Sequence, residues 1–184
     1  MPRPPTWLIR MPYALFSTQF GRCGLAWNEA GLTAFQLPEE TEALTESRLA
    51  AKSHSQPAAD PLPEWVSQLI VRVQQHLAGV PQDFSATPLD CSQVNDFQQA
   101  VYRQAQAIKP GDRKSYGEIA RLMTLGNEAA RAVGVALATN PWPLIVPCHR
   151  VVSADGKMTG FSAPGGIRTK TRLLALEGAE LLSE

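Results

Sequence analysis

Cysteine, histidine and long apolar runs are scarce in this sequence. Three scattered cysteines among 184 residues are too few for a disulfide framework, so we expect a reducing, cytoplasmic setting. No apolar stretch approaches the roughly 20 residues of a membrane span, and the first residues lack the apolar core of a signal peptide. The cysteines and the three histidines are not spaced as zinc ligands, and we expect neither a metal nor a cofactor.

An overall excess of charge is also absent, since 17 Lys and Arg balance 17 Asp and Glu. The balance is uneven along the chain. Residues 1–96 carry six basic against ten acidic residues, a net charge of −4, whereas residues 97–172 carry eleven against four, a net charge of +7. A basic region beside an acidic one is typical of a polyanion-binding module joined to a structural domain, although a solvated charged surface explains it as well.

The first half of the chain has the pattern of a small α/β unit. After a loose lead-in over residues 1–12, two apolar strands flank a turn of Asn and Gly, which predicts a hairpin. Residues 53–63 are expected to form a loop, and His54 and His76 have no ligand-spaced partners. The predicted elements are strands Gly21–Trp27 and Leu32–Leu37 and helices Glu40–Ala51 and Trp65–Leu77.

The second half is predicted to be mainly helical. Asp96 is expected to cap a helix over Phe97–Ile108. Ser115 and Glu118 have the spacing of a capping box, which predicts a helix from Tyr116 to Thr124. A glycine-containing turn at residues 125–127 leads into a second helix over residues 128–139, and two short helices around such a turn are typical of a helix-turn-helix.

The second of these helices is unusually smooth. It is rich in alanine and glycine, and only Arg131 stands out from its surface. A helix that reads bases in the major groove carries several long polar side chains, so this one fits a narrower groove with shape and backbone contacts. Tight packing of the alanines inside the protein is the alternative.

Cys148 lies in an apolar segment, where a cysteine is most often a small buried hydrophobe. His149 and Arg150 follow at once, and cationic neighbours lower the pKa of a thiol. In an extended backbone, the side chain of His149 would point away from Cys148, so a direct pairing requires a turn or a bridging water.

Three segments together carry a resemblance to a known family. The sequence Pro-Cys-His-Arg-Val at residues 147–151 follows Asn140-Pro141, with Arg-Ala-Val-Gly upstream at residues 131–134. This arrangement resembles the O6-alkylguanine-DNA alkyltransferases, the methylated-DNA–protein-cysteine methyltransferases, over about residues 90–180. The resemblance implies a ribonuclease-H-like α/β domain (residues 1–90, an antiparallel sheet with a helix) and a mainly α domain with a helix-turn-helix (residues 91–184).

The resemblance also implies an activity. An alkyl group passes from O6-alkylguanine in double-stranded DNA, with O4-alkylthymine as a further candidate, to Cys148 of a monomer. The base first swings out of the stack from the minor groove, and a thioether forms once per molecule. By resemblance, a water links Cys148 to His149, Glu177 orients His149, and Tyr116 crowds the phosphate and donates to N3 of the guanine.

The resemblance further implies residues for DNA and for the base. Arg131 would fill the gap that the flipped nucleotide leaves. Asn140 would connect the second helix of the helix-turn-helix to the turn that carries Cys148. Phe161 would line the pocket, and the Ser162 N–H would donate to O6. Two additional residues, Ala163 and Pro164, depart from the common loop pattern and are hypothesised to shift tolerance for larger alkyl groups. The implied DNA contacts are Ser115, Tyr116, Ala130, Arg131, Ala132 and Gly134, and the implied pocket is Asn140, Pro143, Val151, Phe161 and Ser162.

Three other functions fit parts of the sequence. An alkyltransferase-like protein that binds lesions without reacting carries tryptophan in place of the cysteine, which Cys148 argues against. A helix-turn-helix regulator would leave Cys148 and His149 idle. A cysteine hydrolase would need a separate general base, and His54 and His76 lie outside the matched segment.

Overall fold

A mixed sheet with two helices forms the first part of the chain. The computed structural model describes residues 11–53, 55–157 and 160–179, so His54 and most of the predicted lead-in lie outside it. The strand order is β3-β2-β1-β4. The elements are β1 (Met11–Thr18), β2 (Gly21–Asn28), β3 (Gly31–Gln36), α1 (Glu42–Ser53), β4 (Ser55–Pro57) and α2 (Glu64–Leu77).

The predicted hairpin is confirmed, because β2 pairs antiparallel with β3 as well as with β1. Two predictions about this sheet are wrong. Met11 and Pro12 belong to β1 rather than to a lead-in, and the expected loop at residues 53–63 contains β4, which pairs parallel with β1. The sheet is therefore mixed, not antiparallel. A three-residue edge strand needs main-chain partners but no side-chain alternation, so no pattern in the sequence marks it.

The second part of the chain is mainly helical, as predicted. Short 3₁₀ turns at residues 91–93, 127–129 and 148–150 connect its helices. The elements are α3 (Asp96–Gln106), β5 (Lys114–Ser115), α4 (Tyr116–Leu122), α5 (Ala130–Ala138), β6 (Val151–Val152) and α6 (Gly166–Leu176).

The caps of α3 and α4 show which side chains begin a helix. The Ser115 hydroxyl accepts the Glu118 N–H at 3.1 Å and the Glu118 carboxylate accepts the Ser115 N–H at 2.6 Å, which confirms the predicted capping box. Asp96 is not the cap of α3. Asn95 takes that place, since its side chain accepts the N–H of Gln98 at 2.9 Å and the Gln98 side chain accepts the Asn95 N–H at 3.0 Å.

One apolar core joins the two parts of the chain. Residues of the sheet and of α2 pack with residues of α3, α4, α5 and α6 in a single buried cluster. The Trp142 indole donates to the Leu32 carbonyl at 2.8 Å, and the Phe35 N–H donates to the Pro141 carbonyl at 2.9 Å. The segment before Cys148 is therefore fixed against β3. Within the described ranges, no helix is both long and apolar enough to cross a bilayer.

Candidate active site

Cys148 begins a 3₁₀ turn that follows a tight, buried loop. The Val146 N–H donates to the Trp142 carbonyl at 2.8 Å, and Leu144 inside this loop has a φ of 78°, a conformation that is costly for a branched side chain. Asn140, two residues beyond α5, donates to the Val146 carbonyl and accepts from the Trp142 N–H, each at 2.9 Å. Asn140 thereby connects the end of α5 to the loop that presents Cys148.

The thiol of Cys148 lies in partly buried surroundings. Burial raises its pKa above the ordinary value, while the Asn140 side chain and the positive charge of Lys170 act in the opposite direction. We expected His149 and Arg150 to be the cations that favour the thiolate, and this expectation is wrong. The guanidinium of Arg150 is bound elsewhere, and Lys170 from α6 is the cation whose charge acts on the sulfur.

The carboxylate of Glu177 is the centre of a buried polar cluster. Its side chain is only 1% exposed, which excludes a solvated carboxylate at the helix end. Arg150 donates to it twice, from Nε to Oε2 at 3.0 Å and from Nη2 to Oε1 at 2.8 Å. His149 Nε2 and His76 Nε2 lie 2.8 Å and 3.0 Å from Oε1. Burial alone would raise the pKa of Glu177, but the hydrogen bonds from His149, His76 and Arg150 outweigh it and lower the pKa well below its usual range.

The hydrogen bonds of His149 indicate its protonation state. Burial lowers the pKa of this imidazole, against the opposing effect of Glu177, so the ring is neutral near pH 7. Since Glu177 is a carboxylate and can only accept, the proton of the neutral ring is on Nε2. The other nitrogen, Nδ1, is buried and has no hydrogen-bond partner among the described residues. His149 thus has a basic lone pair on Nδ1.

His76 is a member of this cluster that the sequence analysis missed. It lies on the buried face of α2 and is 1% exposed. Its position follows the apolar residues Val66, Leu69 and Val73 at helical spacing, so burial could have been predicted from the stripe. Its partner could not, because Glu177 is 101 residues away in the sequence.

Lys170 is the second residue that the sequence analysis missed. It is fully buried on α6, and its Nζ donates to the Val151 carbonyl at 2.6 Å. Burial lowers its pKa to about 8, against the opposing effect of Cys148. A pattern in the sequence does indicate its burial, because Lys170 and Glu177 flank Leu173 and Leu174 at spacings of three and four residues, which would place all four on one face of a helix.

Helix α5 exposes part of its smooth surface. Arg131 and Ala132 are exposed, Ala130 and Gly134 are half-buried, and Gly134 faces the ring of Tyr116. Val135, which is 62% exposed, was not singled out from the sequence, although it lies one turn after Arg131. The alternative that the alanines pack inside the protein holds for Ala136, which is 3% exposed, but not for this exposed face.

The implied pocket residues occupy different positions around Cys148. Asn140, Pro143 and Ser162 line the same open groove as Cys148, as does Pro164. Phe161 is half-buried and packs against the core, and Val151 is buried, with its carbonyl already accepting from Lys170. The hydroxyls of Ser115 and Ser162 are engaged within the protein, in the capping box and on the Ala138 carbonyl at 2.6 Å. Across the described residues, no group of three His, Cys, Asp or Glu side chains is placed to hold a metal ion.

Known proteins resemble this chain over most of its length. Residues 96–179 match the family described as 6-O-methylguanine DNA methyltransferase, DNA binding domain. A methylated-DNA–protein-cysteine methyltransferase of Methanosarcina acetivorans is 33% identical over 92% of this chain and 99% of its own, and that of Methanothermobacter thermautotrophicus is 32% identical over 86% and 80%. The chain belongs to this family. The crystal structure of Mycobacterium tuberculosis OGT in complex with DNA is 36% identical, with a TM-score of 0.72 over 90% of this chain and 92% of that chain.

Membership of the methylated-DNA–protein-cysteine methyltransferase family accounts for both parts of the fold. A second Mycobacterium tuberculosis structure, of a single-residue variant of OGT, covers 95% of this chain with a TM-score of 0.71, so the sheet and the helical part are both shared. The family match at residues 96–179 contains Cys148, His149, Arg150, Lys170 and Glu177. It does not contain His76, which reaches the same cluster from α2.

Proposed function

We propose that this chain repairs alkylated DNA by moving the alkyl group from O6-alkylguanine to Cys148, once per molecule. Family membership supports DNA repair by alkyl transfer, and the DNA complex of the Mycobacterium tuberculosis relative supports DNA as the substrate. The observation that carries the assignment of residues is the buried cluster of His149, Arg150 and Glu177 directly after Cys148. All the residues required come from one chain, so we propose that it acts as a monomer.

The thiol has to lose its proton before it can attack. His149 Nδ1 is the available base, because Nε2 is engaged with Glu177, and the proton travels from the sulfur to Nδ1 through a water molecule. Glu177 stabilises the imidazolium that forms, and the charge of Lys170 favours the thiolate. His76 cannot take this proton, since its Nδ1 already accepts the Gln82 N–H at 3.0 Å.

The transfer itself is a substitution at the alkyl carbon. The sulfur forms a bond to that carbon, the bond from carbon to O6 breaks, and its electron pair stays on the purine. The purine takes up a proton, in balance with the one that the thiol released, and is thereby restored to guanine within the DNA. The thioether is not readily hydrolysed, and the proposal therefore includes a single turnover.

Base flipping brings the lesion to the sulfur. A cysteine fixed on a buried turn cannot reach O6 inside a duplex, so the nucleotide has to leave the stack, which costs a few kcal/mol. The exposed face of α5 supports an approach from the minor groove, with Arg131 filling the gap and Ala132 and Val135 allowing close contact. In this proposal α4 and α5 act as a helix-turn-helix, and Tyr116 faces the flipped nucleotide.

Mass measurement on the intact protein tests the assignment. After incubation with duplex DNA that contains O6-methylguanine, we expect the wild type to gain one methyl group on Cys148 and Cys148→Ser to gain none. Cys91→Ser is the matched control, because Cys91 is also partly exposed but lies outside the cluster, and it should react like the wild type. Removal of the lesion by Cys148→Ser, or many turnovers by the wild type, would contradict the proposal.

A further inference from the structure

The first part of the chain contributes one polar side chain to the buried cluster. His76 lies on α2, and its Nε2 is 3.0 Å from Glu177 Oε1, the same oxygen that lies 2.8 Å from His149 Nε2. The side chains of His76 and Glu177 are 0% and 1% exposed. A hydrogen bond between groups this well buried is strong, and a partner left without it is costly.

The hydrogen bonds of His76 indicate which nitrogen carries its proton. The backbone N–H of Gln82 donates to Nδ1 at 3.0 Å, so Nδ1 is unprotonated. The proton is therefore on Nε2, and His76 is a neutral donor to the carboxylate. The ring is also packed against Phe84, with centroids 5.3 Å apart, so its orientation is held from a second side.

We propose that His76 is a positioning residue for alkyl transfer, acting through Glu177 on His149. The inference rests on the proposed relay from Cys148 through His149 to Glu177. Arg150 is bound to both carboxylate oxygens, and His76 and His149 share Oε1. With His76 donating, Oε1 is fixed at the place where it keeps the proton of His149 on Nε2 and leaves Nδ1 to accept from the thiol.

The charge of the cluster explains why a neutral donor fits this position. Glu177 and Arg150 form a buried ion pair with no net charge. A second cation at His76 would compete with His149 for the carboxylate, whereas a neutral N–H stabilises the carboxylate without adding charge. Losing that N–H leaves more negative charge on Oε1, which favours the imidazolium, so a larger fraction of His149 is already protonated near neutral pH and has no lone pair on Nδ1 to accept the thiol proton.

Two amide substitutions separate the two hydrogen bonds of His76. In His76→Gln the side-chain amide reaches the place of Nε2 and keeps the donor to Glu177, but loses the acceptor for Gln82. In His76→Asn the shorter side chain places an oxygen near Nδ1 and keeps the acceptor for Gln82, but loses the donor to Glu177. The pair is matched in chemistry and in burial, and each variant loses one hydrogen bond.

The measurement is the single-turnover rate of methyl transfer from duplex DNA across a range of pH, with urea unfolding of each variant. We expect the plateau rate of His76→Asn to fall about five- to tenfold, because Glu177 no longer holds His149 in place, and the acid limb of its pH profile to move up by about half a pH unit. His76→Gln should keep the wild-type profile and a rate within about twofold, although both variants lose similar stability.

An unchanged rate and pH profile in His76→Asn would overturn the inference. Equal losses of rate in the two variants would overturn it as well, since they would show that His76 matters only for folding. His149→Ala and Glu177→Gln serve as references in the same assay. If these two references transferred like the wild type, the relay itself would be refuted, and with it the role of His76.

Discussion

Glu177 and Arg131 are charged side chains of the same half of the chain, and they lie in opposite surroundings. The Glu177 carboxylate is 1% exposed and accepts hydrogen bonds from His76, His149 and Arg150. Arg131 lies on the exposed face of α5 and has no hydrogen bond or ion pair within the part of the chain that is described.

The difference shows that a buried charge contributes to the stability of the fold, whereas an exposed charge is available for binding. A buried carboxylate has lost its hydration, so its energy in the folded protein depends on each donor that replaces water. An exposed guanidinium keeps its hydration, so removing it changes the folded protein little. Substitutions in the Glu177 cluster should therefore affect folding and chemistry together, whereas substitutions on the exposed face of α5 should affect only the interaction with DNA.

The largest expected effect is on stability at Glu177. Glu177→Gln leaves Arg150 buried without its counter-charge and should lower the free energy of unfolding by about 3–5 kcal/mol. Urea unfolding at neutral pH measures it. Glu128→Gln, which changes an exposed glutamate beside α5, is the matched control and should stay within about 0.5 kcal/mol of the wild type. Equal losses of unfolding free energy in the two variants would contradict the expected difference between a buried and an exposed charge.

A second effect concerns the stability of the protein at acid pH. Because the pKa of Glu177 is lowered in the folded protein, the folded state binds fewer protons here than the unfolded chain does. The stability that Glu177 contributes is therefore complete above its ordinary pKa of 4.5 and is lost progressively as the pH falls below it. The gap between wild type and Glu177→Gln in urea unfolding should narrow from about pH 6 to about pH 3.5. A constant gap would show that the carboxylate is not preferentially stabilised.

A substitution of Arg131 should affect methyl transfer from DNA and leave the stability of the fold unchanged. Arg131→Ala is expected to slow methyl transfer from duplex DNA by about tenfold or more, because in the proposed mechanism Arg131 fills the gap that the flipped nucleotide leaves in the stack. Its free energy of unfolding should stay within about 0.5 kcal/mol of the wild type, and the rate at which iodoacetamide modifies Cys148 should not change. Arg168→Ala removes an exposed arginine of α6 as a control. A similar loss of transfer rate in Arg168→Ala would mean that the rate depends on the net charge of the protein and not on the position of Arg131.

The smallest effect is expected at the loop before α6. Pro164 lines the groove together with Cys148 and Ser162, and the loop ends at Gly165, which has a φ of 80°. Deleting Pro164 should shorten the loop and narrow the groove beside Cys148. A narrower groove should lower the ratio of benzyl to methyl transfer by about threefold. Ile167→Ala, an exposed change on α6, should leave the ratio unaltered. An unchanged ratio in the deletion variant would remove the proposed link between this loop and the size of the alkyl group.

Local patterns in the sequence predicted most of the elements but not all of their ends. The hairpin and the Ser115–Glu118 capping box follow from neighbouring residues, and both are confirmed. The cap of α3 was misplaced by one residue, since Asn95 and Asp96 are both good caps and only the hydrogen bonds distinguish them. Strand β4 escaped prediction because its pairing is with a distant strand.

The sequence by itself determined the family and the smooth character of α5, and it placed a histidine beside Cys148, the cysteine that we propose to be reactive, because each of these depends on residues that are close together in the chain. Only the tertiary structure decided what surrounds the thiol. It bound Arg150 to Glu177 and placed Lys170 where its charge acts on the thiol of Cys148. It also placed His76 against a carboxylate oxygen of Glu177, a residue 101 positions away in the sequence. The reason is physical: the strength of a charge or a hydrogen bond depends on distance and burial, and packing between distant segments sets both.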